Sequence, residues 1–411
     1  MKRSLLFALS LTASCTGNGQ LTCQDPFLPH EIIDLSVPPF QQIRRGSVRL
    51  RFESTAFANL VVSMASEDQQ CVSLVPAQTD RLERTWTAEA EEHGDEAGEY
   101  TLYTATMDQM LEGVTYKWKA HTTPSEQDSW TGAVRLPPVA GDGAVVAFTG
   151  SMAPSTQRDL FLDMTQDTPD MVLLGGDLQF SETTDSTWSK LMQDVSPVAA
   201  SSLLHTVAGE RDNEEGDELN ELYLRWFGGQ GRAGGGELYY SVDIAGVRFV
   251  VLDSSDPRLS NPSGRQFKWL RTELADVTPQ SSLTSAVIVL HNGPWSLADQ
   301  RPLYELRDPL AELLVDGPVK LVLSSNGQAY ERFEVDGIHY VVEGGGGALL
   351  STFTTRAETH PEDVPLQVVA SSTHGYTLIT IDADGAVSLL RKDDSGDVVD
   401  EVQIIEVEPE P

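Results

Sequence analysis

Five short segments hold the side chains in this 411-residue chain that could do chemistry. They are Thr149-Gly150-Ser151-Met152, Gly175-Gly176-Asp177-Leu178-Gln179-Phe180, Gly209-Glu210-Arg211-Asp212, His291-Asn292-Gly293-Pro294 and Ser325–Arg332. Together they supply a carboxylate cluster, a central arginine, one histidine and two amides. Asp177, Glu210 and Asp212 would repel each other at close range unless a cation joined them. That cation is either a hard metal held by oxygen and nitrogen donors or the guanidinium of Arg211. Taken alone, His291 reads more readily as a structural histidine; its place in the ordered series is what raises it. Ser151 lacks a Gly-x-Ser-x-Gly elbow, which speaks against a serine hydrolase. The runs Gly234–Gly236 and Gly344–Gly347 lack a following Lys-Ser/Thr and the dinucleotide spacing, and read as turns.

The elements that must position these residues follow from periodicity. From residue 144 short apolar runs alternate with helical stretches. Strands are expected at 144–149, 171–174, 248–252, 286–290 and 320–324, with helices at 158–165, 219–226 and 266–274. Such runs fit strands buried on both faces, in a layered α/β domain. All but the 209–212 segment directly follow one of these strands, where ligands sit in such folds. Before residue 136 the pattern is β: Val48, Leu50 and Phe52 alternate with arginines, and further strands are expected at 61–64, 84–87, 100–107 and 116–121. The stretch 103–118 resembles the last hairpin of a fibronectin type III domain.

In order, the segments resemble the calcineurin-like metallophosphoesterases, and among them the purple acid phosphatases. That family carries Gly-Asp-x-Gly, Gly-Asp-x-x-Tyr, Gly-Asn-His-Asp/Glu, a histidine after a strand, and Gly-His-x-His-x-Tyr-Glu-Arg. Tyr239-Tyr240-Ser241, Leu252-Asp253-Ser254, Gln266, Trp269-Leu270 and Gly344–Gly347 add to the match. The resemblance implies an N-terminal fibronectin type III-like β-sandwich followed by a four-layer αββα metallophosphoesterase domain. The expected organisation is a lipoprotein-type signal segment and start of linker at 1–22, linker at 23–40, sandwich at 41–136, phosphoesterase domain at 143–395 and a solvated acidic tail at 396–411.

The departures from the family pattern carry the functional expectation. Ser151 stands where a metal-binding aspartate is implied, Phe180 where an iron-binding tyrosine is, and Gln328 where a histidine is. The bridging aspartate is kept as Asp177 and the strand-end histidine as His291. Glu210 replaces a metal-binding asparagine, Arg211 replaces a histidine that protonates the leaving group, and Asp212 is kept beside it. Asn326 replaces the other late histidine. Arg211 and Asp212 are therefore the candidate catalytic residues, and Asp177, Glu210, His291 and Asn326 the donors for a single Mn²⁺, Mg²⁺ or Ca²⁺. An intact di-metal centre is not expected. The leading expectation is a metal-free site in which Arg211 makes a bidentate pair with Asp177. The protein would then be a catalytically impaired homologue that acts by binding. The alternative is a single-metal phosphoesterase acting on phosphomonoesters or phosphodiesters, and the third a purely structural envelope protein.

Composition sets the surroundings. Lys plus Arg total 28 against 62 Asp plus Glu, a net charge of −34. So acidic a chain is not a nucleic-acid binder, and it does not dock on anionic lipid through a basic face. The expected partners are a phosphate-containing ligand or an envelope protein. Lys2 and Arg3, the apolar stretch 5–11 and Ala13-Ser14-Cys15 resemble a bacterial lipoprotein signal. The expectation is an exported protein of the bacterial cell envelope, either an outer-membrane lipoprotein lipidated at Cys15 or secreted, touching the membrane only through that anchor. Cys23 and Cys71 then remain for a disulfide or as two thiols.

Overall fold

The computed structural model describes residues 70–76, 84–87, 89–95, 98–104, 113–122 and 129–407, the last range with gaps at 154–156, 179–184, 213–220, 228–231, 237 and 279–280. Cys15, Cys23, Phe180 and the strands expected at 48–52 and 61–64 lie outside the described residues. So does the side chain of Cys71, although its backbone is described.

The N-terminal part is antiparallel β-structure. Strands β1 (Gln70–Pro76), β2 (Arg84–Thr87), β5 (Thr115–Thr122) and β6 (Ser129–Arg135) form a four-stranded sheet in the order β2-β1-β5-β6. Strands β3 (Glu89–Asp95) and β4 (Gly98–Thr104) pair as a hairpin. The sequence pattern locates β2, β4 and β5 but misses β1, β3 and β6. Glu89–Asp95 is too charged to show an apolar alternation.

Two larger sheets follow. A six-stranded sheet runs β20-β19-β18-β7-β8-β9 and an eight-stranded sheet runs β10-β11-β12-β13-β14-β16-β15-β17. The first comprises β7 (Ala144–Thr149), β8 (Met171–Leu174), β9 (Leu203–Thr206), β18 (Gly375–Ile381), β19 (Val387–Asp393) and β20 (Val398–Ile405). The second comprises β10 (Arg232–Gly236), β11 (Tyr239–Ile244), β12 (Val247–Leu252), β13 (Ser285–Leu290), β14 (Val319–Ser324), β15 (Tyr330–Val335), β16 (Ile338–Glu343) and β17 (Gln367–Ser371). The helices are α1 (Gln157–Gln166), α2 (Asp185–Ala199), α3 (Glu221–Phe227), α4 (Arg265–Ala275), α5 (Arg307–Leu314) and α6 (Thr354–Thr359).

Side chains of a strand point to opposite faces in turn, and this alternation builds the layers. Val146 and Phe148 of β7 join Val247, Phe249 and Val251 of β12 in one core between the sheets. Ala147 of β7 instead meets Leu160 and Phe161 of α1, Trp188 of α2 and Tyr223 of α3. Val250 and Leu252 of β12 meet Leu270 of α4 and Leu310 of α5. The order is helices, sheet, sheet, helices, as the αββα expectation requires. Tyr116, Val134 and Leu136 also enter the central core, so the end of the N-terminal sheet is packed into the α/β body.

One expectation is corrected. Residues 398–405 are not part of a solvated tail: β20 pairs antiparallel with β19. The reason is Asp400, whose buried carboxylate accepts from Arg332 Nε at 2.6 Å, Arg332 Nη2 at 3.0 Å and the Tyr330 hydroxyl at 2.7 Å. Net acidity concealed a single buried acceptor that ties the strand down.

Candidate functional site

The six-stranded sheet is parallel across β7, β8 and β9, and the eight-stranded sheet across β12, β13 and β14. Their carboxyl ends therefore deliver Ser151, Asp177, the 209–212 turn, His291 and the 325–328 turn to one rim. Backbone hydrogen bonds lock the segments together: Ser151 N donates to Gly176 O at 2.9 Å, and Met152 N to Asp177 O at 2.8 Å. Ser325 N and Asn326 N both donate to His291 O at 3.0 Å. Three of these residues are held with positive φ: Ser151 at 55°, Asp177 at 49° and Gln328 at 51°. Left-handed non-glycine residues are strained and cluster where surrounding structure imposes them.

Asp177 is the centre. It is almost fully buried, and its Oδ1 accepts the backbone N–H of Arg211 at 3.0 Å. Arg211 Nε lies 3.6 Å from Asp177 Oδ2, and His291 Nε2 lies 3.3 Å from Asp177 Oδ1. The Arg211 contact is thus one ion pair plus a backbone bond, not the bidentate fork expected. The Arg211 side chain is 49% exposed and reaches the carboxylate with one edge. Gly209 permits this approach, because a Cβ there would stand 2.1 Å from Asp177 N and 2.5 Å from Asp177 Oδ1.

His291 is wholly buried. Its Nδ1 is 2.9 Å from Gly175 O and 3.0 Å from Ser325 Oγ. A carbonyl only accepts, so Nδ1 carries a proton and donates. Nε2 has no hydrogen-bond partner, although Asp177 Oδ1 lies 3.3 Å away. Burial pulls the His291 pKa down, but the neighbouring Asp177 carboxylate, with smaller help from Gly175 and Asp212, outweighs it and leaves it raised. At Asp177 burial pushes up, and His291 and then Arg211 more than reverse it, so its carboxyl lies below the usual range.

Asp212 is buried beside them and joins two loops. Its Oδ1 accepts Leu178 N at 2.7 Å and its Oδ2 accepts Gly209 N at 2.7 Å. Burial first, and then the negative charge of Asp177, raise its pKa to about 7. Glu210 is exposed and Asn326 half-buried. Among the described residues, Asp177, Glu210 and His291 do not form a mutually close donor group; the group that does is His360, Glu362 and Asp363. The Ser151 hydroxyl donates to Ser325 O at 2.9 Å, so it is engaged inside the protein.

Two contributors were not singled out from the sequence. Ser325 is fully buried and its hydroxyl meets both Gly175 O and His291 Nδ1. Nothing in a lone serine signals this; only the crossing of two loops creates it. Glu331 is also buried: it accepts from Ser296 Oγ at 2.5 Å, Leu297 N at 2.7 Å and Gln367 Nε2 at 2.9 Å, fixing the loop after His291. Its place in the Tyr330-Glu331-Arg332 motif was the available signal.

No family model matches the chain. Purple acid phosphatase 22 of Arabidopsis thaliana is 29% identical over 174 residues, which is 40% of this chain and 39% of that protein. A probable cyclic nucleotide phosphodiesterase of Rhodococcus erythropolis is 29% identical over 163 residues, 38% of this chain and 51% of that protein. The matches thus span about two fifths to one half of these relatives. The solved purple acid phosphatase PPD1 of yellow lupin seeds superposes with a TM-score of 0.73 at 16% identity, covering 87% of this chain and 73% of that one.

Proposed function

From a chain that carries the metallophosphoesterase fold and is related in sequence to the purple acid phosphatases, we propose a catalytically impaired homologue that binds phosphate esters without turning them over efficiently. We read it as an exported protein whose N-terminal strands belong to a fibronectin type III-like domain. The carrying observation is the charge balance at Asp177, which meets Arg211 at 3.6 Å and His291 at 3.3 Å. A guanidinium and an imidazole of the chain itself stand beside the carboxylate that would otherwise bridge metal ions. The donor set does not fit two ions, because the Ser151 hydroxyl is spent on Ser325 O and Gln328 offers only an amide. Arg211, half-exposed, would meet the phosphate. Purified protein should hold well under stoichiometric metal, bind inorganic phosphate in calorimetry, lose that binding in Arg211→Ala, and leave an aryl phosphate intact. Near-stoichiometric metal together with turnover would overturn the reading.

A second reading is favoured by one observation. The buried Nε2 of His291 has no hydrogen-bond partner, while its Nδ1 is fixed on Gly175 O, as in a histidine held ready for metal. Asp177 and His291, with Asn326 and a turned-in Glu210, would hold one hard divalent ion that polarises a phosphoryl oxygen. This reading expects Mn²⁺-dependent hydrolysis that Asp177→Asn abolishes.

A further inference from the structure

The turn that follows α6 gathers three metal-ligating side chains outside the site described above. One donor atom each from His360, Glu362 and Asp363 lies within 4.8 Å of the other two. The turn is closed by its own backbone: His360 N donates to Arg356 O at 2.8 Å, Asp363 N to His360 O at 3.1 Å and Leu366 N to Asp363 O at 3.0 Å. Pro361 stands between the histidine and the two carboxylates and fixes the backbone there. His360 Nδ1 is 3.2 Å from Glu362 Oε1. Ligands of a tetrahedral Zn²⁺, bonded at about 2.0–2.1 Å, stand about 3.3 Å apart, so this pair already has the spacing of one coordination edge. Glu362 is exposed, and its side chain can rotate to complete the approach.

Outer partners orient metal ligands, and two of these three have them. The His360 ring lies against Tyr304, with ring centres 4.8 Å apart. Asp363 is buried and accepts from Arg307 Nη1 at 3.0 Å and Nη2 at 2.7 Å. Two such bonds use about half of the lone-pair positions of a carboxylate and leave the rest for an ion. Arg307 is itself held in place. Its Nε donates to Pro294 O at 2.9 Å, and its guanidinium lies 3.6 Å from the centre of the Trp295 ring and 4.6 Å from that of Tyr304. The two rings take up part of its charge. Glu362 and Asp363 together outweigh that charge, so the donor group attracts a divalent cation.

We propose that His360, Glu362 and Asp363 form a Zn²⁺ site, completed by water, that clamps the turn after α6 to Arg307 and so to the loop beyond His291. The site is independent of the phosphate reading. One imidazole with two carboxylates suits Zn²⁺ or Co²⁺, and Mn²⁺, lowest in the affinity order, should bind far more weakly. The test is calorimetry with Zn²⁺ on the full chain after a chelator has stripped this open site. The parent should bind one Zn²⁺ here with micromolar affinity, and the ion should raise the melting temperature by a few degrees. His360→Gln and Glu362→Gln should each weaken that binding at least about tenfold and remove the rise. Because Glu362 is exposed, Glu362→Gln folds as the parent does. Asp177→Asn should keep the binding, which separates this site from the candidate site. Co²⁺ should give the visible absorption of a four-coordinate ion in the parent and lose it in His360→Gln. No Zn²⁺ uptake, uptake untouched by His360→Gln and Glu362→Gln, or uptake that vanishes in Asp177→Asn would overturn the inference.

Discussion

His291 Nε2 stands 3.3 Å from Asp177 Oδ1 while the opposite ring nitrogen is fastened to the Gly175 carbonyl, so the imidazole is anchored on one side and faces the carboxylate on the other. The pair is buried on both sides. Taking one member from a buried pair leaves the other uncompensated, at a cost of about 3–5 kcal/mol. His291→Ala should therefore lower unfolding stability by about that amount in urea titrations. A loss below about 1 kcal/mol would mean that Arg211 alone holds Asp177.

Asp212 makes the site respond to pH. Its folded pKa is raised to about 7 by burial and by Asp177. A raised acid gives stability that is fully present below its unfolded value, near 4, and is lost as pH rises through 7. Unfolding free energy should thus fall by a few kcal/mol between pH 4 and pH 8. In Asp212→Asn that part of the slope should vanish, although the level drops because one backbone N–H loses its acceptor. An unchanged slope in the variant would assign the pH dependence to the general acidity of the chain.

The last strand is structural. Asp400→Ala removes the acceptor for Arg332 and Tyr330 and should cost about 3–5 kcal/mol. Truncation after residue 397 should do at least as much. A solvated tail would show neither effect, and thermal melts of the two variants decide between them.

Metal affinity can be moved by design. Arg211→His with Asn326→His removes a competing cation and adds two imidazoles at the rim. Mn²⁺ should then raise the melting temperature in the double variant and leave the parent within about 1 °C, a shift read by mass action. An equal rise in both would favour the single-ion reading.

Periodicity made the layered body legible in the sequence because β7, β8, β12, β13 and β14 are nearly pure apolar runs. Segment order alone groups Ser151, Asp177, Asp212 and His291 as one site. What stayed hidden depends on contacts between distant segments. Glu210 and Arg211 are neighbours in sequence, yet only Arg211 turns to Asp177 while Glu210 faces solvent. Ser325 carried no local mark, and β20 looked like an acidic tail because one buried carboxylate is invisible among exposed ones.

The turn 209–212 has a further consequence for how freely this protein can drift. Gly209 leaves no room for any side chain against Asp177, and Asp212 is clamped by two backbone donors. Between them, the Glu210 and Arg211 side chains are both exposed, Glu210 facing solvent and Arg211 reaching the Asp177 carboxylate with one edge. In a saturation library scored for folding alone, the two outer positions should tolerate few residues and the two inner ones many. The turn is a rigid bracket around two interchangeable slots, so the cleft can exchange the charge it presents to a ligand without altering its own shape.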